Sequence, residues 1–146
     1  MKLNKRVVFY TDDDEDDRDM FRDAFHSIIE DCDIATQSTG YELLQLLVKG
    51  SRHPIVIFLD LNMPVKNGYE VLKEIRQSES ITALPVVIFS TSDDIKAISA
   101  SRKLGANFYI SKPSSFSALK NAIKHTLAID WKNFSPSPNN FVYRPI

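Results

Sequence analysis

Three short stretches of unbroken apolar, β-branched and aromatic residues, Val7-Val8-Phe9-Tyr10, Ile55-Val56-Ile57-Phe58-Leu59 and Val86-Val87-Ile88-Phe89, are separated by segments whose apolar residues recur every three or four positions. Continuous apolar runs of four or five residues suit strands covered on both faces, and the intervening periodicity suits amphipathic helices. Strands that alternate with helices are joined by crossovers, which forces neighbouring strands to run parallel.

The helical segments carry their own punctuation. Phe21, Ala24, Phe25 and Ile28 line one face over residues 16–30. Thr39-Gly40-Tyr41-Glu42 has capping-box form ahead of Leu43, Leu44 and Leu47, and Gly50 is a natural stop. Asn67 is a cap for a helix with Val71, Leu72 and Ile75 inward. Ser92 or Asp93 is the expected cap for a helix carrying Ile95, Ala97 and Ile98, which ends near Gly105. Ser114 or Ser115 precedes a last helix with Phe116, Leu119, Ile123 and Leu127 inward. Weaker strands are expected at 33–37 and 107–110. Five strands and five helices predict an α/β, flavodoxin-like doubly wound (βα)5 domain with a five-stranded parallel sheet in the order 2-1-3-4-5. It uses residues 1–128. Residues 129–146 hold three prolines together with Trp131, Phe134, Phe141 and Tyr143. This tail is too proline-rich for a helix and is expected to be docked or flexible; its aromatics suggest docking, on the domain's own surface or on a second copy in a homodimer.

Several classes drop out. The longest apolar run is far short of the ~20 residues a bilayer requires. No secretory h-region follows the N-terminus. The lone Cys32 permits no intrachain disulfide, which fits a reducing, cytoplasmic setting. The three histidines, His26, His53 and His125, are scattered and read as surface residues. No glycine-rich phosphate loop occurs.

Ligands of open parallel sheets bind beyond the carboxyl ends of the strands. Here those ends carry Asp12 and Asp13, Asp60, Ser90 and Lys112. Clustered carboxylates require a cation between them, and oxygen ligands suit Mg²⁺ or Mn²⁺. Such an ion could hold a phosphoryl group, a lysine could neutralise another of its oxygens, and an aspartate could itself be the nucleophile. Asp60, at the end of the most buried strand, is the residue best placed for that role. Glu15, Asp16 and Asp17 read instead as a solvated helix start facing the helix dipole.

The blocks Val7-Val8-Phe9-Tyr10-Thr11-Asp12-Asp13-Asp14, Phe58-Leu59-Asp60-Leu61-Asn62-Met63-Pro64 with Asn67-Gly68, Pro85-Val86-Val87-Ile88-Phe89-Ser90, and Gly105-Ala106-Asn107-Phe108-Tyr109-Ile110-Ser111-Lys112-Pro113 stand in order over residues 5–128. Together they resemble the receiver domain of two-component response regulators, of the single-domain chemotaxis-regulator type. The resemblance implies that Asp60 is the phosphoacceptor. Asp13, Asp60 and the Asn62 backbone carbonyl would bind Mg²⁺, with Asp12 holding a metal-bound water. Ser90 and Lys112 would contact the phosphoryl group, and Ser90 and Tyr109 would form a conformational switch. The bond at the position of Lys112-Pro113 is often a cis peptide in that family. Thr91 departs from the Ala or Gly common at that position and could narrow phosphoryl access.

What is implied is a signalling phosphoacceptor rather than an enzyme acting on a separate substrate, with self-phosphorylation and autodephosphorylation its only chemistry. The donor would be a sensor histidine kinase or a phosphotransfer protein. The output would be a protein partner, or else onward transfer to a histidine phosphotransfer protein as a relay intermediate. A haloacid-dehalogenase-type phosphatase would need a second Asp where Asn62 stands. A flavin or nucleotide binder would not place so acidic a loop after the first strand. The net charge of −1 conceals a division: −6 over residues 1–33, −2 over 34–94 and +7 over 95–146. The basic end reads as Lys112 plus a partner-facing surface (Lys96, Arg102, Lys103, Lys120, Lys124), with no direct nucleic-acid or membrane contact.

Overall fold

The computed structural model describes residues 6–50 and 52–145. Strands β1 (Arg6–Thr11), β2 (Cys32–Gln37), β3 (Val56–Leu59), β4 (Val86–Ser90) and β5 (Phe108–Ser111) alternate with helices α1 (Glu15–Ile28), α2 (Gly40–Lys49), α3 (Gly68–Gln77), α4 (Ile95–Lys103) and α5 (Phe116–Leu127). All strand pairs are parallel, in the order β2-β1-β3-β4-β5, as the alternation predicts. The order reverses at β1 and β3, so their carboxyl ends open a crevice between them.

The sheet separates two apolar layers. On one side Leu43, Leu47, Val71, Leu72 and Ile75 from α2 and α3 pack on Val7, Phe9, Ile57, Leu59 and Ile88. On the other, Phe21 and Phe25 of α1 with Leu119, Ala122 and Ile123 of α5 cover Val8, Tyr10, Phe58 and Val87. Strands β3 and β4 are buried along their whole length. That is why their sequences show no alternation.

The caps explain where the helices begin. Asp14 caps α1, Thr39 caps α2, and Asn67 with Glu70 forms a full capping box on α3. Ser115 caps α5, one of the two serines expected. Helix α4 is capped by Asp94 rather than by Ser92 or Asp93, because the Ser92 hydroxyl is spent accepting from the Asp94 N–H one step earlier. Phe116 was expected inward but is 42% exposed. It is the first residue of α5, and the buried stripe begins one turn later at Leu119.

The described part of the tail, residues 129–145, contains no helix and docks on its own domain. Val142 forms an isolated parallel bridge with Tyr109 on the outer edge of β5. The Tyr109 N–H donates to the Phe141 carbonyl (2.9 Å), and the Tyr143 N–H donates to the Tyr109 carbonyl (2.8 Å). Trp131, Phe134 and Tyr143 gather around Phe108 on the α5 side of the sheet. Phe141 is buried on the α4 side.

Candidate functional site

Each candidate residue is positioned by the end of a strand. Asp12 immediately follows β1, and its backbone N–H donates to the Gln37 carbonyl. Asp60 follows β3 and donates its N–H to the Thr11 carbonyl (3.0 Å), which ties the β1 and β3 ends together. Asp12 and Asp60 are both buried, whereas Asp13 is exposed at the mouth. Carboxylate oxygens of the three lie within 4.8 Å of one another.

The loop after β3 must fold back under Asp60 to begin α3, and Gly68 makes that possible. Its N–H donates to the Leu61 carbonyl, and a Cβ there would stand 2.3 Å from the Asp60 carbonyl oxygen and 2.8 Å from the Leu61 Cα. Between them lies Val65, with φ at 66°, a left-handed conformation that a β-branched residue adopts only under strain.

Lys112 enters from the end of β5. Its Nζ is 2.7 Å from Asp12 Oδ2, 2.8 Å from Asp17 Oδ2 and 3.7 Å from Asp60 Oδ1. Burial opposes its charge, but the bonds to Asp12 and Asp17 and the nearby Asp60 outweigh that and hold its pKa above the ordinary lysine range. Burial is also the main influence on Asp60. Together with the Asp12 charge it pushes the carboxyl up to about 6, against the pull of Lys112 and a hydrogen bond from the Asn62 backbone N–H. The Tyr10 hydroxyl donates to Asp12 Oδ2, and the Asp14 N–H donates to Asp12 Oδ1. Asp12 is thereby fixed on both oxygens.

Three carboxylates, Asp12, Asp17 and Asp60, share the single ammonium of Lys112, and the Asp13 carboxylate adds a fourth negative charge beside Asp12 and Asp60. The uncompensated negative charge and the all-oxygen donor set fit a hard divalent cation, Mg²⁺ or Mn²⁺, at Asp12, Asp13 and Asp60.

Ser90 ends β4 and is fully buried, and its Oγ accepts from the Ser92 N–H at 3.3 Å. Tyr109 lies inward, fully buried, with its hydroxyl donating to the Ser92 carbonyl at 2.7 Å and interacting with the Ser90 side chain. Burial raises its pKa.

The family model for the response regulator receiver domain matches residues 8–124. The chain belongs to this family. Receiver domains are signalling domains, and phosphorylation on an aspartate with a divalent cation is general among them. The receiver is 31% identical over 93 residues to protein PilG of Pseudomonas aeruginosa, covering 64% of this chain and 67% of that one. It is 30% identical over 112 residues to response regulator Rcp1 of Synechocystis, covering 73% of this chain and 76% of that one. Among solved structures, the Mn²⁺-bound form of Rcp1 superposes with a TM-score of 0.76 at 25% identity, over 90% of this chain and 99% of that one. The phosphorylated cyanobacterial phytochrome response regulator RcpA gives 0.78 at 30% identity, over 92% and 99%.

The receiver's geometry brings together Asp12, Asp13, Asp60 and Lys112, and separately Ser90 with Tyr109. Two expectations are corrected. Asp17 is not merely a solvated helix acid: from the first turn of α1 it reaches Lys112. The Lys112–Pro113 bond is trans, since no cis peptide occurs among the described residues, and trans is the form an X–Pro bond favours by about 0.5–1 kcal/mol. Thr91 is exposed, and the three histidines lie on the surface as expected. Among the described residues no helix is long and apolar enough to cross a membrane.

Proposed function

We propose that this receiver is a phosphorylatable signalling switch with Asp60 as the phosphoacceptor. The observation that carries the reading is the approach of Lys112 to Asp60 within a carboxylate cluster whose two inner members, Asp12 and Asp60, are buried. An Asp60 carboxylate oxygen attacks phosphorus, and the bond from phosphorus to the donor, the imidazole nitrogen of a phosphohistidine or the oxygen of acetyl phosphate, breaks. The pair of electrons leaves with the donor, and an aspartyl-phosphate remains. With its pKa near 6, Asp60 is mostly anionic at neutral pH, as a nucleophile must be.

Asp12, Asp13, Asp60 and the Asn62 backbone carbonyl would hold Mg²⁺ or Mn²⁺, which when bound would supply positive charge to the phosphoryl oxygens. Lys112 offers an ammonium to another oxygen, at the expense of its bonds to Asp12 and Asp17. The Ser90 hydroxyl donates to the phosphoryl group, and its movement is passed to Tyr109, shifting a two-state equilibrium. The donor is a sensor histidine kinase or phosphotransfer protein in the cytoplasm. A phytochrome-type kinase is the first to try, because the likeness to RcpA extends over 92% of the chain. The output is a change in binding to a protein partner. Incubation with acetyl phosphate and Mg²⁺ is expected to add one phosphoryl mass to the intact protein and none to Asp60→Asn; equal labelling of the two would overturn the assignment.

A further inference from the structure

Strand β5 is an edge strand, yet Tyr109 at its centre is fully buried with both backbone polar groups paired. The tail accounts for this. Phe141 and Tyr143 bracket Tyr109 with the two backbone hydrogen bonds described above. Phe141 packs its ring 6.3 Å from that of Tyr109, in the apolar layer that holds Ala97, Ile98 and Leu104. The other end of Tyr109 is also committed, its hydroxyl donating to the Ser92 carbonyl in the loop that follows Ser90. That loop is itself drawn together by the bond from the Ser92 N–H to the Ser90 hydroxyl. A continuous chain of contacts therefore runs from Phe141, through Tyr109, to the β4–α4 loop that begins at Ser90.

We propose that the tail segment around Phe141 is a positioning element for the phosphoryl site, holding Tyr109 inward and through it fixing the Ser90–Ser92 loop. The inference rests on the reading of Asp60 as phosphoacceptor. With the tail docked, the outer side of Tyr109 is occupied, and outward rotation of the ring requires Phe141 to leave. Any ligand that favours the inward ring then favours the docked tail, and reciprocally.

The test uses the full chain and beryllofluoride with Mg²⁺ as the phosphoryl probe. Phe141→Ala is expected to weaken beryllofluoride binding about tenfold, while Mg²⁺ affinity measured alone stays unchanged. Tyr143→Pro, which removes the N–H that donates to the Tyr109 carbonyl, is expected to act in the same direction. In a Tyr109→Leu background the Phe141→Ala effect is expected to vanish, because the intermediary is gone. A Phe141→Ala protein with native beryllofluoride affinity would overturn the proposal, as would an undiminished loss in the Tyr109→Leu background. Failure of the unmodified chain both to bind beryllofluoride and to accept phosphate would instead overturn the phosphoacceptor reading, and this inference with it.

Discussion

Lys112 Nζ stands 3.7 Å from Asp60 Oδ1 but only 2.7 Å from Asp12 Oδ2. The lysine is thus closer to Asp12 than to the proposed nucleophile Asp60, and it is a counter-ion shared by Asp12, Asp17 and Asp60. Removing one partner of a buried ion pair costs about 3 kcal/mol or more, because the remaining charge is left uncompensated. Lys112→Met is therefore expected to lower the midpoint of chemical denaturation at neutral pH in the presence of chelator. Added Mg²⁺ is expected to restore much of the loss while phosphorylation stays impaired. Urea titrations with and without Mg²⁺ check this; equal stability to the native chain in chelator would contradict it.

Asp60 supplies a pH dependence whose sign follows from its environment. Its pKa is about 6 in the folded chain against 3.8 for the ordinary carboxyl. Between those values the folded form holds more protons than the unfolded one, so this group's contribution to stability falls as pH rises, and the penalty is complete above about pH 6. The displacement corresponds to at most about 3 kcal/mol. Without metal, Asp60→Asn is expected to be more stable than the native chain at pH 7.5, with the advantage shrinking to nothing by about pH 4. Denaturation midpoints across that range, in chelator, measure it.

Val65 offers a stabilising change. It is highly exposed and sits at φ 66°, where an L-residue with a branched Cβ is strained by about 1–2 kcal/mol. Val65→Asn is expected to raise stability by about 1 kcal/mol without disturbing the core, read as a higher melting temperature.

Gly68 offers the opposite. An added methyl would meet the Asp60 carbonyl oxygen and the Leu61 Cα, both backbone and unable to yield cheaply. Gly68→Ala is expected to cost about 2 kcal/mol and to weaken Mg²⁺ binding, since the backbone that must move carries Asp60. Native Mg²⁺ affinity in a folded Gly68→Ala protein would contradict the second half.

The architecture was readable because its signals are local: uninterrupted apolar strands, helical spacing and capping residues each act within a dozen positions. The strand-end carboxylates were readable for a related reason, because topology alone sends Asp12, Asp13, Asp60 and Lys112 to one edge of the sheet. What escaped depends on pairs far apart in the chain. Asp17 looked like a solvated helix acid, and only the folded geometry brings Lys112 to it across 95 positions. Arg76 gave no signal. Yet its guanidinium donates to the Gly105, Thr82 and Leu84 carbonyls and to Asn107 Oδ1, fastening the approach to β5. Asn107 Oδ1 in turn accepts from the Val86 N–H. Ser92 and Asp93 were the caps the local pattern offered for α4, and side-chain bonding within the loop passes that role to Asp94, one residue on. The tail's aromatics announced docking but not its register, because bridging at Tyr109 is specified by backbone groups common to any residue.

The tail's place on β5 also governs how the chain behaves towards copies of itself. A strand edge with free N–H and C=O groups is a template for pairing with other chains. A protein shortened to the 128 residues that complete the (βα)5 unit would bare Tyr109's backbone groups and the Phe108 ring together. Its solubility, rather than its fold, would suffer first.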